Sequence, residues 1–239
     1  MAKQTGPIPI EGTLGDLIFY KTVHGHLVRR KGNLNKERVM NDPAFERSRA
    51  AGSEFGRAGA ASGLIRREIR THCPFAGDGQ THARLSKLFG DIIRKDSEHP
   101  VGDRQVTSAQ IAQLKQFEWI QDHPLSRSFW AQCGGSVTPE GILQIRMPGF
   151  TPRTDLAWPL NATHAQLTAV CISADFANRT AESVAARSGM LMKSPVSIQL
   201  NLECQPNMDE GRMLMVGLGV QFFENETPLK ENAAFGIVA

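Results

Sequence analysis

From Val137 onward the apolar residues of this 239-residue chain recur at every second position, and no other feature of the sequence restricts its fold so tightly. The plainest run is VSIQLNLECQ, where Val196, Ile198, Leu200, Leu202 and Cys204 alternate with Ser197, Gln199, Asn201 and Glu203. Successive side chains of a strand point to opposite faces, so such a run has one dry face and one wet face. Comparable runs are ILQIRM from Ile142, AQLTAVCISADF from Ala165, RMLMVGLGVQFF from Arg212 and the closing AAFGIVA, separated by turn-rich pieces such as QPNMDEG and ENETPLKEN. About five to seven short strands at this spacing predict an antiparallel β-sandwich of immunoglobulin-like type.

Residues 1–133 carry helix signals instead, so the class is α+β: an N-terminal β-hairpin and helical region, then the sandwich over 134–239. In NDPAFERSR, Asp42 is placed to cap, Pro43 to occupy the first helical position and Glu46 to face the positive end of the dipole, which predicts a helix from Pro43 towards Thr71. Its interior holds Gly52, Gly56, Gly59 and Gly63 at steps of four, three and four along one face, with Phe55 beside them. Each Gly costs about 1 kcal/mol relative to Ala in a helix interior. The stripe is therefore read as a surface that receives another helix closely, or as the site of a kink near Gly63. Leu85, Leu88, Phe89, Ile92 and Ile93 predict a second helix ending near Asp96, and Thr107 with Gln110 a capping box opening a third.

Ahead of these lies GTLGDLIFYKTVHGHLVRRKG, residues 12–32, two strands about a His24-Gly25 turn flanked by Val23 and His26. That register sets Tyr20 opposite Arg29 and Lys21 opposite Val28, with the Arg29 guanidinium over the Tyr20 ring. Leu17 and Phe19 point one way, Ile18 and Tyr20 the other. A two-stranded hairpin apolar on both faces must be covered on both, by the rest of its own chain or by a neighbouring copy, with the preceding PIPIEG arm as an added strand. The candidate assembly residues are Ile8, Ile10, Leu14, Leu17, Phe19 and Tyr20.

Charge is uneven. Up to Cys133 there are 20 Lys or Arg against 14 Asp or Glu; beyond it, 7 against 10; and residues 21–70 alone hold 12 against 5. Arg29, Arg30, Lys31, Arg47, Arg49 and Arg57 form the candidate basic patch, facing nucleic-acid phosphates or the acidic half of another copy. Tyr20, Phe45 and Phe55 are the few aromatics interleaved with it and form no evident stacking platform.

Hydrophobic residues at 41% and charged residues at 21% give an ordinary globular balance. MAKQTGPIPIEGTLGD lacks the continuous apolar core of a signal peptide, and no stretch approaches the roughly 20 apolar residues of a membrane helix. The expected location is the cytoplasm or a virion or particle. Cys73, Cys133, Cys171 and Cys204 are scattered and expected as free thiols. There is no GxxxxGK[ST], HExxH or GxSxG. GLG at 217–219 reads as a close sheet contact or bulge. His72, Cys73, Asp78 and His82 match no zinc framework, and His24 and His26 have no third ligand near them in sequence. No catalytic residue, metal or cofactor is assigned, and the chain is read as a non-enzyme.

GTLGDLIFYKTVHGHLVRRKG, NDPAFERSRAAGSEFG and LGVQFFENETPLKENAAFGIVA together resemble a group of uncharacterised bacterial proteins, chiefly from Bacteroidota. Those proteins have an N-terminal glycine and aromatic hairpin, a helical middle and a C-terminal sandwich-like region. The resemblance implies that order of parts and a structural or phage-associated role, and it brings no active site. The expected function is a self-assembling structural protein, a homo-oligomer polymerising through its arm and hairpin; the alternative is a protein- or nucleic-acid-binding module using the basic half.

Overall fold

The N-terminal hairpin belongs to a four-stranded antiparallel sheet. In the computed structural model, which describes residues 2–6, 8–32, 35–115 and 117–238 (Lys230 and Glu231 by backbone alone), the chain divides into two units, Met1–Arg49 and Ala50–Ala239. The boundary expected at 133/134 lies inside the second. The first unit holds β1 (Ala2–Lys3), β2 (Gly12–Leu14), β3 (Leu17–Thr22) and β4 (Gly25–Arg30) in the order β1-β4-β3-β2. The register differs by two residues from the predicted one: Tyr20 pairs with Leu27 and Lys21 with His26. The turn is Val23-His24, not His24-Gly25, because Thr22 Oγ1 accepts from His24 N at 3.1 Å and donates to Gly25 O. Gly25, at φ +104°, supplies the left-handed residue after the turn. Among its described residues the arm adds no strand between residues 4 and 11. Instead β1 and β2, at its two ends, flank the hairpin. The unit closes with α1 (Lys36–Asn41), capped by the Asn35 side chain, and a 3-10 turn at Pro43–Phe45, where Asp42 accepts from Ala44 N at 2.9 Å.

α2 (Glu46–His72) follows, and it runs unbroken past Gly63. α3 (Thr81–Arg94) buries Leu85, Phe89, Ile92 and Ile93, as its 3.6-residue period predicts. The third predicted helix shrinks to α4 (Ser108–Ile111) and a 3-10 turn at Ala112–Leu114, and Thr107 makes no side-chain cap. α5 (Leu125–Ser128) leads into the β region: β5 (Gly134–Val137), β6 (Leu143–Phe150), α6 (Pro152–Asp155), β7 (His164–Asp175), β8 (Thr180–Arg187), β9 (Leu191–Met192), β10 (Ile198–Cys204), β11 (Met213–Glu224) and β12 (Thr227–Ile237). ENETPLKEN is not a separator. Asn225 takes φ +56° and turns the chain directly into β12, which a bulge opposite Val220/Phe222 joins to the predicted final strand.

The strands form two antiparallel sheets, β10-β6-β5 and β12-β11-β7-β8, with β9 also pairing β7. The two antiparallel sheets stack as a β-sandwich. Parity assigns each face. Leu167, Ala169 and Cys171 of β7 and Val216, Leu218 and Val220 of β11 pack against Leu143, Ile145 and Met147 of β6 and Leu202 of β10. Val170, Ile172, Ala174 and Met215 point the other way, onto Ile65 and Ile69 of α2 and Phe89 and Ile92 of α3. Helices, larger sheet and smaller sheet therefore make three layers, and the central strands are dry on both faces. The described residues contain no helix long and apolar enough to cross a membrane.

Candidate assembly surface

The first unit is a regular sheet without an interior. No described residue between 2 and 49 is buried. Ile8 is 78% exposed, Leu14 70% and Val23 96%; Ile10 and Leu17 are also exposed, and Phe19 and Tyr20 half-buried. Polar groups fix the backbone in place of a core. Gln4 Nε2 donates to Ile10 O and Leu27 O, both at 3.1 Å, while its Oε1 accepts from Ile10 N at 3.0 Å, so one amide pins the arm to the sheet. Glu11 lies 3.7 Å from His26 Nδ1. The cation–π contact expected at Tyr20 is made, with Arg29 5.8 Å from the ring centre, as a diagonal neighbour rather than a directly opposed one. Val23 and the Gln4 clamp escaped sequence reading, since neither periodicity nor motif marks them.

The basic residues divide by use. Arg29 lies over Tyr20, Arg30 is 3.7 Å from Asp16, and Lys31 and Arg47 are exposed. Arg49 donates to Val39 O and Asp42 O at 2.8 and 2.9 Å, and Arg57 to Gly102 O and Asp103, so two of the six hold loops. The glycine stripe is open: a Cβ at Gly52, Gly56, Gly59 or Gly63 meets nothing within 4 Å, and Phe55 is exposed. Among the described residues no helix is received there.

The residues weighed for metal binding are drawn apart. His72 Nε2 faces Ser183 O at 3.3 Å and Ser183 Oγ at 3.1 Å. A carbonyl only accepts, so that nitrogen carries the proton, and Ser183 Oγ in turn donates to Glu68 Oε2 at 2.9 Å. The trio locks α2 to β8. His82 faces Ser62. Burial pushes the Cys73 thiol up to about 12. Burial also raises Asp78, but hydrogen bonds from Gln121 N, Gln80 N and Thr81, with Arg84 nearby, outweigh it and hold the carboxyl at about 2. Asp96, Glu98 and His99 are the one set of three metal-type ligands clustered among the described residues. There the Asp96 carboxylate accepts from Gln105 N, Glu98 N and His99 Nδ1, the first of which does most to hold it near 2; it is a loop clamp. All four cysteines are free thiols.

Comparison with protein-family models, curated proteins and solved structures finds no match.

Proposed function

We infer that this chain is a structural protein that assembles with copies of itself through its N-terminal arm and hairpin, in a filament or particle such as a phage-related one. The observation that carries this reading is a four-stranded sheet with no buried residue among those described. The sheet runs only from Ala2 to Arg30, and folded pieces below about 40 residues usually need disulfides, metals or oligomerisation, because too little surface leaves water. Fully burying an aliphatic side chain contributes about 1.5–3 kcal/mol, so Ile8, Ile10, Leu14, Leu17, Phe19 and Tyr20 together supply the missing driving force once a neighbour covers them. Arg29, Arg30 and Lys31 then pair with the acidic second half of that neighbour, where 10 acidic residues face 7 basic ones. The glycine stripe beside Phe55 offers α2 a second contact with a neighbouring copy.

Light scattering over a concentration series tests the reading. The wild-type chain is expected to grow with concentration, and Leu14→Asp/Leu17→Asp to require at least tenfold more protein for the same size. A wild-type chain of one-chain mass at every concentration overturns self-assembly.

A further inference from the structure

Among the exposed strand edges of the second unit, that of β5 lies beside an apolar opening. The outer edge of β12 is closed by residues 117–119: Glu118 bridges Gly236, Trp119 N donates to Phe235 O at 2.9 Å, and Ile237 N to Phe117 O at 3.3 Å. On β8, His72 Nε2 reaches Ser183 O. β5 is the terminal strand of its sheet, all four of its residues are exposed, and its outward backbone groups have no hydrogen bond among the described residues. Its sequence, Gly-Gly-Ser-Val, carries none of the lysines, prolines or bulges by which edges are usually protected. Behind it a cleft of about 190 Å³ opens between the two sheets, lined by Val137, Leu143, Ile145, Val216 and Val238, with Cys133 at its rim. A cavity of roughly 150 Å³ takes a benzene ring, so this one has room for branched aliphatic side chains.

We propose that β5 and this cleft accept the arm of a second copy, Gly6–Glu11, as an added antiparallel strand, with Ile8 and Ile10 filling the cleft. This rests on the self-assembly reading and names the acceptor. The alternation of the arm fits an edge strand. Ile8 and Ile10 share one face of an extended chain and supply the N–H groups that bond to β5. Pro7 and Pro9 fall at the outward positions, where no donor is needed and a further strand finds none. Ile8 and Ile10 are 78% and 50% exposed in their own chain. Charge is complementary between the two parts. The donor unit carries 9 Lys or Arg against 5 Asp or Glu, and the acceptor's half of the chain is acidic. Insertion exchanges the Gln4 bond to Ile10 N for one from a β5 carbonyl.

Donor and acceptor are separable by mutation in the full chain. Ile8→Asp/Ile10→Asp removes the arm's apolar face, and Val137→Arg, at an exposed position, blocks the cleft mouth. Each variant alone is expected to remain one-chain in mass by light scattering, with an unchanged thermal midpoint, and an equimolar mixture to yield a 1:1 heterodimer. Independently, Ile10→Cys is expected to form a ladder of disulfide-linked chains through Cys133 under mild oxidation, a result that does not depend on Val137→Arg folding. If Val137→Arg assembles like wild type, or Ile10→Cys gives no ladder while assembly persists, the acceptor is elsewhere and self-assembly stands. A disulfide closed within one chain also overturns the proposal. A wild-type chain that never assembles overturns both readings.

Discussion

Asp78 joins three segments with one carboxylate: it accepts from Gln80 N and Thr81 Oγ1 at the start of α3, from Arg84 one turn later, and from Gln121 N across the unit. Its folded value of about 2 lies below the ordinary 3.8, so the ionised form is the one the fold stabilises. The sign follows: the contribution is complete above about pH 4 and is lost as pH falls towards 2. Hydrogen bonds to a charged group are worth about 1.5–3 kcal/mol, and Asp78→Asn is expected to cost about 2 kcal/mol near pH 7 by urea unfolding. The same variant is expected to lose less stability than wild type between pH 4 and pH 2; an equal acid slope contradicts the assignment. The loop from His72 to His82 shows where sequence reading stops at this scale. Its residue types were legible, but the partners that decide their roles lie far along the chain, Ser183 being 111 positions from His72 and Gln121 being 43 from Asp78. Local spacing carries no trace of them.

Glycine in an element means opposite things in α2 and β11. A Cβ on Gly217 would overlap the Phe235 ring of β12, and one on Gly219 comes within 3.0 Å of the same ring, so the GLG run is the close sheet contact its sequence suggested. Overpacking typically costs about 1–3 kcal/mol, and Gly217→Ala is expected to fall at the upper end by chemical denaturation. Gly56→Ala, in open helix, is expected to raise stability by about 0.5–1 kcal/mol. A loss there would reveal a close neighbour. The helix start at Asp42-Pro43, the apolar face of α3 and the alternation of β10 were all readable, because each is decided within one or two turns or by adjacent positions. The hairpin register was not: a single Thr22 hydroxyl selects between turns one residue apart, which shifts the pairing by two. The third helix starts where Thr107 predicts, but it stops after one turn and its predicted capping box is not made.

For the whole molecule, the change of hydrophobic period after residue 133 marks a change of element type, and the sequence places a domain boundary there. It failed as a boundary because the helices lie on the same strands that form the sandwich, a fact carried by the side-chain parity of β7 and β11 and by nothing before residue 133. The first unit offers the complementary test. With no buried residue described, its amides are expected to exchange hydrogen within seconds to minutes in dilute solution and to slow at least tenfold on assembly, while β7 and β11 stay protected throughout. Concentration-independent exchange in residues 2–32 counts against coverage by a neighbour.

The doubly covered β12-β11-β7-β8 sheet has a practical corollary. A fragment expressed from residue 134 onward would present Val170, Ile172, Ala174 and Met215 as a bare greasy plate, and the matching helical fragment would bring the other half of that contact into solvent. Neither piece is expected to stay in solution alone, so anyone dissecting this protein should cut ahead of the Asp42 cap that leads into α2 and leave the remainder whole.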